Sequence, residues 1–371
     1  MESNDENEHN RNRSQKKTHL SNSPGLGGLP SEVVFDILSR LPLTSLLQCK
    51  LVSQLYYSLV KYQCLTSMHL SRANDHNPFV VCFSDYPISK LYFVDLNSPE
   101  NNMFLARTPN FCFESTPPKF DIVGSCNGLL CLYYRFNNDP LFIFNPFTRE
   151  YRALPNLFTP LHLRVLRVVF GFGFHPRIKK YKAIKIVYYR DGTEAIRMTE
   201  VYVHTLDIIS FDLDTEEFQV ISQPIGLGLN KFLNHLVTLN NRLSAVISSQ
   251  FGENDIWVLK DYNVKESWTK ELVIPDYVPQ GFRMNCAPRC YRPNGTRKRA
   301  FRVLCNLKGG DEILFSYGDN CLVSFNPGCG EFKDIWTEGL PTEFETIVHV
   351  GSLISIAEAF ASHPTQHHLV A

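Results

Sequence analysis

The hydrophobic pattern of the chain has two different periods in two stretches. Across residues 29–72, apolar residues recur at helical spacing until Pro42 interrupts the first run. Thr44 or Ser45 can cap a second helix and Ser53 a third. The pattern therefore predicts a small all-α unit of three short helices, which we call the helical block.

In the second stretch, one phrase recurs five times: a β-run, a turn built on Asn or Asp, and a second β-run that ends at proline. Phrases such as "LFIFNPFTREYRALP" are typical of β-hairpins. Successive turn residues lie 50, 67, 49 and 65 positions apart, and a spacing near 50 is that of kelch-like propeller blades. Residues 78–360 are therefore predicted to form an all-β propeller or a closely related array. The turn residues are Asp95, Asn145, Asp212, Asp261 and Asn326.

One of these repeats is shorter than the others. Three of the phrases follow a tight turn and a strand, so a complete blade is predicted to contain a tight turn, an inner strand and the outer hairpin. Between "EVYV" (residues 200–203) and "DIISFDLD" (from Asp207), three residues stand in that place. Either this blade is built differently or the chain lacks a segment of roughly 20–45 residues. We expect one incomplete blade.

The two ends of the sequence differ from the rest in composition. Residues 1–28 are polar and are predicted to be disordered, because they hold too few apolar groups to offset the entropy of ordering. Residues 361–371 are predicted to form a flexible tail. Neither a secretory signal nor a membrane-spanning run is present, so we expect no membrane association and a cytoplasmic or nuclear location.

The charge balance and the cysteine spacing argue against two classes of function, nucleic-acid binding driven by overall charge and metal binding. Lysines plus arginines and aspartates plus glutamates both number 37, so no global field attracts nucleic acid. The 11 cysteines include no C-x-x-C pair, and in a reducing compartment they are expected to be mostly buried free thiols. No metal or cofactor is expected.

Two glycine-containing segments were considered as catalytic or phosphate-binding candidates. "GSCNG" (residues 124–128) fits a cysteine version of a nucleophile elbow around Cys126, but a strand follows where that elbow needs a helix. "FGFGFHP" (residues 170–176) lacks the phosphate-binding glycine spacing, and it is predicted to be an inner strand whose phenylalanines pack between blades, with His175 in a turn.

A basic segment, "RCYRPNGTRKRAFR" (residues 289–302), surrounds a Pro-Asn-Gly turn. Its simplest interpretation is a solvated loop; the alternatives are a contact for an acidic substrate or a nuclear import signal. Nucleic-acid binding is not favoured, because no aromatic stacking platform is evident. Residues 294–300 and 190–197 were considered as substrate-contacting loops.

Together the two stretches resemble the plant F-box proteins that carry a C-terminal F-box-associated β-propeller domain. The F-box motif stands as "LPSE" (residues 29–32), "ILSRLP" (residues 37–42) and "VSQLY" (residues 52–56). Phrases of the associated domain stand as "GSCNGLLCL", "NPFTREYRALP" and "FGFGFHPRIKKYKAIKI". Gln54 replaces the family's usual Lys. Tyr56 replaces its usual Trp and is smaller, so a modestly weaker contact is expected at Tyr56.

The resemblance implies a non-catalytic substrate receptor of an SCF-type ubiquitin ligase. The F-box would bind a Skp-family adaptor held by a cullin, and the propeller would recruit the protein to be ubiquitinated. About forty residues cannot bury enough surface to be stable alone, so their apolar side chains also suggest a partner surface. The residues assigned to adaptor binding are Leu29, Pro30, Ile37, Leu38, Leu41, Pro42, Leu46, Val52, Tyr56 and Leu59.

Two alternatives remain open at this point. The helical block could cap the end of the propeller, in a protein-interaction module that joins no ligase. An enzyme that uses Cys126 as a nucleophile is the other alternative.

Overall fold

A computed structural model describes the helical block and most of the strand-forming part of the chain. The described residues are 29–72, 78–84, 90–97, 103–108, 120–134, 141–155, 164–190, 208–224, 231–249, 252–262, 264, 267–280, 301–307, 311–318, 321–342 and 344–360. The predicted tails, residues 1–28 and 361–371, lie outside them, as do the "EVYV" strand and residues 294–300.

The helical block contains four helices, so the prediction of three was wrong in number. They are α1 (Ser31–Ser39), α2 (Leu43–Val52), α3 (Gln54–Val60) and α4 (Gln63–Ser71). Pro42, rather than Thr44 or Ser45, precedes α2, because its fixed φ suits the start of a helix. Ser53 caps α3 as predicted, since its hydroxyl accepts a hydrogen bond from the Tyr56 N–H. The sequence signal for α4 is weak because its buried positions include Thr66 and His69.

The first blade joins strands from both ends of the β-domain. It has five strands in the order β20-β3-β2-β1-β21, and β1 pairs antiparallel with β21 from Phe79 opposite His349 to Phe83 opposite Glu345. This pairing closes the ring of blades. The strands are β1 (Phe79–Ser84), β2 (Lys90–Asp95), β3 (Phe104–Arg107), β20 (Thr337–Glu338) and β21 (Glu345–His349).

Three further sheets are four-stranded antiparallel meanders. The second blade comprises β4 (Phe120–Cys126), β5 (Leu129–Tyr134), β6 (Leu141–Asn145) and β7 (Glu150–Ala153). Another comprises β12 (Lys231–Leu239), β13 (Arg242–Ser249), β14 (Asn254–Leu259) and β15 (Trp268–Ile274). The last comprises β16 (Phe301–Asn306), β17 (Ile313–Tyr317), β18 (Cys321–Asn326) and β19 (Glu331–Ile335). One more short helix, α5 (Ile356–Ala359), follows β21.

The position between the second blade and β12 is filled by two separate hairpins. They are β8 (Arg164–His175) with β9 (Lys180–Arg190), and β10 (Ile208–Phe211) with β11 (Phe218–Ile221). In the described residues these hairpins share no strand pairing, whereas the four other sheets are continuous. The fold class is thus confirmed: a small helical block precedes an all-β propeller with four complete blades, and in the described residues the remaining position holds the two separate hairpins.

Each complete blade has an innermost strand that the sequence interpretation did not separate. The strands β21, β4 and β8 pack side by side around the ring, as do β12 and β16. The tight turn at Asn127 and Gly128 connects β4 to β5, and both residues have positive φ. The strand that follows the tight turn, which the sequence pattern predicted to be the inner one, is therefore the second strand of its blade.

The outer hairpins share one turn geometry, which explains the repeat in the sequence. At four of the five predicted turns, the side-chain oxygen of the Asp or Asn accepts a backbone N–H two residues later, with N···O distances of 2.7–2.9 Å. These residues are Asp95, Asn145, Asp212 and Asn326. Asp261 differs, because Ser267 bridges its turn through hydrogen bonds with the Asp261 N–H and carbonyl.

Apolar layers between neighbouring blades form the core. Between the second blade and the β8–β9 hairpin, Leu129 and Cys131 pack against Phe170 and Phe172. Phe170 and Phe172 therefore pack between blades as predicted. His175 ends β8 and is buried, with Nε2 at 2.8 Å from an Asp214 carboxylate oxygen, so it is not the turn residue that was predicted. No described helix is long and apolar enough to cross a membrane.

Candidate functional site

The helical block has a core of its own, formed by one face of each helix. Val34 and Leu38 of α1 meet Leu46 of α2, Val60 of α3 and Leu65 of α4, and all five side chains are buried. Leu38 and Leu46 are at most 1% exposed. Two residues assigned to adaptor binding therefore lie inside the block.

A cluster of charged side chains fixes α4 against α1. The Asp36 carboxylate accepts hydrogen bonds from Arg40 at 3.0 Å and from Arg72 at 2.6 Å. Arg72 also donates to the Asp36 carbonyl and to the Ser39 hydroxyl. The hydrogen bonds from Arg40 and Arg72 lower the pKa of Asp36. This cluster holds the end of the block at the point where the chain leaves towards the propeller.

One side of the block rests on the propeller. Leu43 of α2 packs at Gly351, so closely that a Cβ on Gly351 would overlap the Leu43 side chain and crowd the Phe147 ring. Leu353, Phe79 and Phe147 complete the apolar cluster of the block. Burial lowers the pKa of Lys50 on the same helix. The block is therefore seated on the first two blades, where β1 begins and β6 turns into β7.

Away from these contacts, the block leaves large apolar side chains in solvent. Leu51 is 87% exposed and Val52 70%, at the end of α2, and Leu55 of α3 is 41% exposed. Val33 and Ile37 lie one helical turn apart on α1, and both are also exposed. Clusters of exposed apolar side chains of this kind mark binding sites for other proteins. We call Leu51, Val52 and Leu55 the α2–α3 patch.

The remaining predicted adaptor residues divide by exposure. Leu29, Pro30, Ile37, Pro42 and Val52 are exposed, whereas Leu41, Tyr56 and Leu59 are half-buried against the core of the block. The exposed five are accessible to a partner, and their role in binding stays a prediction.

Three exposed aliphatic residues were missing from that set: Val33, Leu51 and Leu55. Val33 could have been found, because it precedes Ile37 by four positions on the same helix face. Leu51 and Leu55 fit the helical pattern of the core equally well. Their exposure depends on how α2 and α3 meet, which the pattern does not specify.

The comparisons with known proteins agree with this arrangement. The family model described as "F-box domain" matches residues 26–68, and the model described as "F-box associated beta propeller domain" matches residues 78–207. F-box protein At3g07870 of Arabidopsis thaliana is 35% identical over an alignment that covers 89% of this chain and 92% of that protein. The chain belongs to the plant F-box proteins with an F-box-associated β-propeller domain.

The chain also has more distant likenesses. F-box protein CPR1 of Arabidopsis thaliana is 22% identical, over 88% of each chain. Among solved structures, apo AztD from Citrobacter koseri is 10% identical and covers 74% of this chain and 99% of its own, with a TM-score of 0.32. The helical block is thus the F-box. An F-box followed by such a propeller is typical of substrate-recognition subunits of SCF ligases.

Cys126 lies in surroundings that do not suit a nucleophile. It ends β4 and is followed by the Asn127–Gly128 turn and β5, so no helix follows it. Burial raises the pKa of its thiol, although a hydrogen bond with the Phe174 backbone acts in the opposite direction. A neutral, half-buried thiol is a poor nucleophile. The eight cysteines in the described residues form no disulfide bonds.

The other candidates from the sequence contribute no site in the described residues. Most of the basic segment, residues 289–300, lies outside them, as do residues 191–197. Arg302 is exposed on β16. In the described ranges, no three His, Cys, Asp or Glu side chains come together as a metal site would require.

Proposed function

We propose that this F-box protein is the substrate receptor of an SCF-type ubiquitin ligase, with the α2–α3 patch bound to a Skp-family adaptor and the propeller bound to the substrate. The observation that carries the proposal is the division of the F-box into two sides. One side is seated on the propeller, and the other presents Leu51 and Val52 to solvent. In an F-box that only capped the propeller, a leucine and a valine this exposed would contribute nothing to stability.

The position of the F-box on the propeller also favours one end of the propeller for substrate binding. The F-box occupies the end where β4 turns into β5 and β6 into β7. The described strand ends that lead into the connections between second and third strands, and from blade to blade, lie at the opposite end. Binding residues of propellers and similar scaffolds lie mostly on such loops. We therefore propose that the substrate binds at the end away from the F-box, and that ubiquitin transfer is performed by other subunits.

The test of adaptor binding uses two matched valine substitutions in the full chain. Val52→Asp places a charge in the α2–α3 patch, and Val220→Asp places one on β11, where the valine is 66% exposed compared with 70% for Val52. We expect Val52→Asp to weaken binding to a purified Skp-family adaptor by about a hundredfold, since it buries an unpaired charge in the interface. Val220→Asp should bind like the wild type.

Each result bears directly on the proposal. Equal affinities for the two variants would contradict the assignment of the patch. A wild-type chain that fails to bind the adaptor at micromolar concentration would contradict the function. Deleting residues 29–72 is a poorer test, because it would expose Phe79, Phe147 and Leu353.

A further inference from the structure

The chain beyond β21 follows an unusual path. Residues 350–360, which we call the strap, run from the closing strand of the first blade beneath α2 and across the second blade. They end in α5, where Ile356 is buried between the second blade and the β8–β9 hairpin, against Leu129 and Phe172. The strap thus contacts three parts of the molecule that are otherwise connected through long stretches of chain.

On its F-box side, the strap provides apolar contacts. Gly351 lies directly below Leu43, and Leu353 is 6% exposed inside the apolar cluster of the F-box. Because a Cβ at position 351 would overlap Leu43, the close approach of α2 depends on the absence of a side chain there. The seat of the F-box is therefore built largely on the strap.

On its propeller side, the strap is held by hydrogen bonds. The Asn145 Nδ2 group donates to the Ser352 carbonyl at 3.1 Å and to the Ile354 carbonyl at 2.8 Å. The Ser352 hydroxyl donates to the Asn127 carbonyl. The Glu150 carboxylate accepts from the Ser355 hydroxyl at 2.9 Å and from the Ile356 N–H at 2.6 Å.

Asn145 has two roles that other turn residues do not combine. Its Oδ1 accepts the Phe147 N–H at 2.9 Å, which is the turn bond also made by Asp95, Asp212 and Asn326. A carboxylate can make that bond equally well, as two of these positions show. The two bonds to the strap require an amide, because a carboxylate has no hydrogen to donate.

We propose that the strap is a latch that fixes the F-box on the propeller, and that Asn145 is the residue that holds the latch closed. Releasing it would leave the α2–α3 patch intact, since none of the strap contacts involves Leu51, Val52 or Leu55. The F-box would still bind its partner but would no longer hold a fixed orientation to the propeller. The effect on ubiquitination rests on the proposed function, whereas the latch itself does not.

The test compares two isosteric substitutions in the full chain. Asn145→Asp keeps the turn bond but sets a buried carboxylate against two carbonyl oxygens of the strap. Asn326→Asp makes the same change at the corresponding turn of another blade. Hydrogen exchange of the α2 amides measures the seating of the F-box directly, without any partner. We expect exchange in α2 about tenfold or more faster in Asn145→Asp than in the wild type, and unchanged in Asn326→Asp.

Adaptor binding and ubiquitination complete the set of measurements. We expect Asn145→Asp to bind a Skp-family adaptor with wild-type affinity and to ubiquitinate a bound substrate more slowly. Wild-type exchange of α2 in Asn145→Asp would overturn the latch whatever the adaptor does. A wild-type chain that binds no adaptor would instead overturn the proposed function and leave the latch standing.

A second pair of chains covers the case in which Asn145→Asp unfolds the propeller, shown by lost protection in β16–β19. One chain ends at His349 and lacks the strap, and the other ends at Phe360 and keeps it. We expect faster α2 exchange in the shorter chain, with equal protection of β16–β19 in both. Equal α2 exchange in the two chains would overturn the proposal.

Discussion

The hydroxyl of Ser125 lies 2.9 Å from Nδ1 of His349, and this contact joins β4 of the second blade to the closing strand of the first. His349 is fully buried, with the rings of Phe93 and Phe147 around it. Its Nε2 atom has no hydrogen-bond partner in the described structure. The same Phe147 packs in the F-box seat, so the ring closure and the seat share one aromatic residue.

Burial of His349 makes stability depend on pH. Burial lowers the pKa of the imidazole from its ordinary 6.5 to about 3, so the unfolded chain binds a proton that the folded chain does not. The stabilisation is complete above pH 6.5 and is lost as the pH falls towards 3. Between about pH 7.5 and about pH 5.5, the free energy of unfolding should fall by about 1.4 kcal/mol from this residue.

Urea unfolding at the two pH values measures this effect. His349→Gln should be less stable at neutral pH but should lose about 1.4 kcal/mol less than the wild type on acidification. Equal losses in the two proteins would show that His349 does not titrate in this range.

Alanine substitutions at two leucines of α2 should have separate effects, one on stability and the other on adaptor binding. Leu46 is fully buried in the F-box core, so Leu46→Ala should destabilise the F-box by about 3 kcal/mol. Leu51 is 87% exposed, so Leu51→Ala should change stability by less than about 0.5 kcal/mol and still weaken adaptor binding. Thermal unfolding and adaptor titration of both variants would check this. Loss of stability in Leu51→Ala would contradict the exposure of the α2–α3 patch.

Two glycines offer a matched test of how tightly the strap is packed. Gly128 (φ 82°) and Gly330 (φ 74°) both have left-handed backbones, so alanine is strained at either. At Gly128 a Cβ would overlap Ser352 of the strap, whereas at Gly330 it would meet no atom within 4 Å. Gly128→Ala should therefore cost at least about 1 kcal/mol more than Gly330→Ala in urea unfolding. Equal costs would mean that the strap moves aside freely.

The Asp36 cluster predicts unequal effects of two arginines. Arg72 bonds α4 to Asp36 and Ser39 of α1, whereas Arg40 lies on the same helical segment as Asp36. Arg72→Ala should therefore increase hydrogen exchange in α4, and Arg40→Ala should not. The comparison requires the full chain, and similar exchange in both variants would show that the hydrogen bonds of Arg72 do not hold α4.

The repeat of the propeller could be predicted from sequence because its signal is local. An Asp or Asn at the start of each outer turn binds a backbone N–H two residues later, so the same short phrase recurs wherever that turn is needed. The helices α1 and α3 were predictable for the same reason, since Val34, Leu38 and Val60 follow helical spacing, but that spacing did not show that Leu38, assigned to adaptor binding, lies in the core. The helix α4 was missed, because Thr66 and His69 fill buried positions that the pattern assigns to apolar residues.

The arrangement of the site could not be predicted, because it depends on contacts between distant parts of the chain. Nothing near Phe79 indicates that it lies opposite His349. The division between Leu46 inside the F-box and Leu51 outside it depends on the packing of α3. The segment that includes Gly351 and Leu353 was assigned to the propeller, and its contact with the F-box had no sequence signal.

The order of the chain has a consequence for synthesis. The F-box leaves the ribosome before any blade, but Gly351 and Leu353, on which it rests, are added after β21. Until then, Leu43 lacks its contact with Gly351, and the apolar cluster of the F-box lacks Leu353. A chain truncated anywhere in the blades would therefore lack the strap, and with it the contacts of the F-box with Gly351 and Leu353.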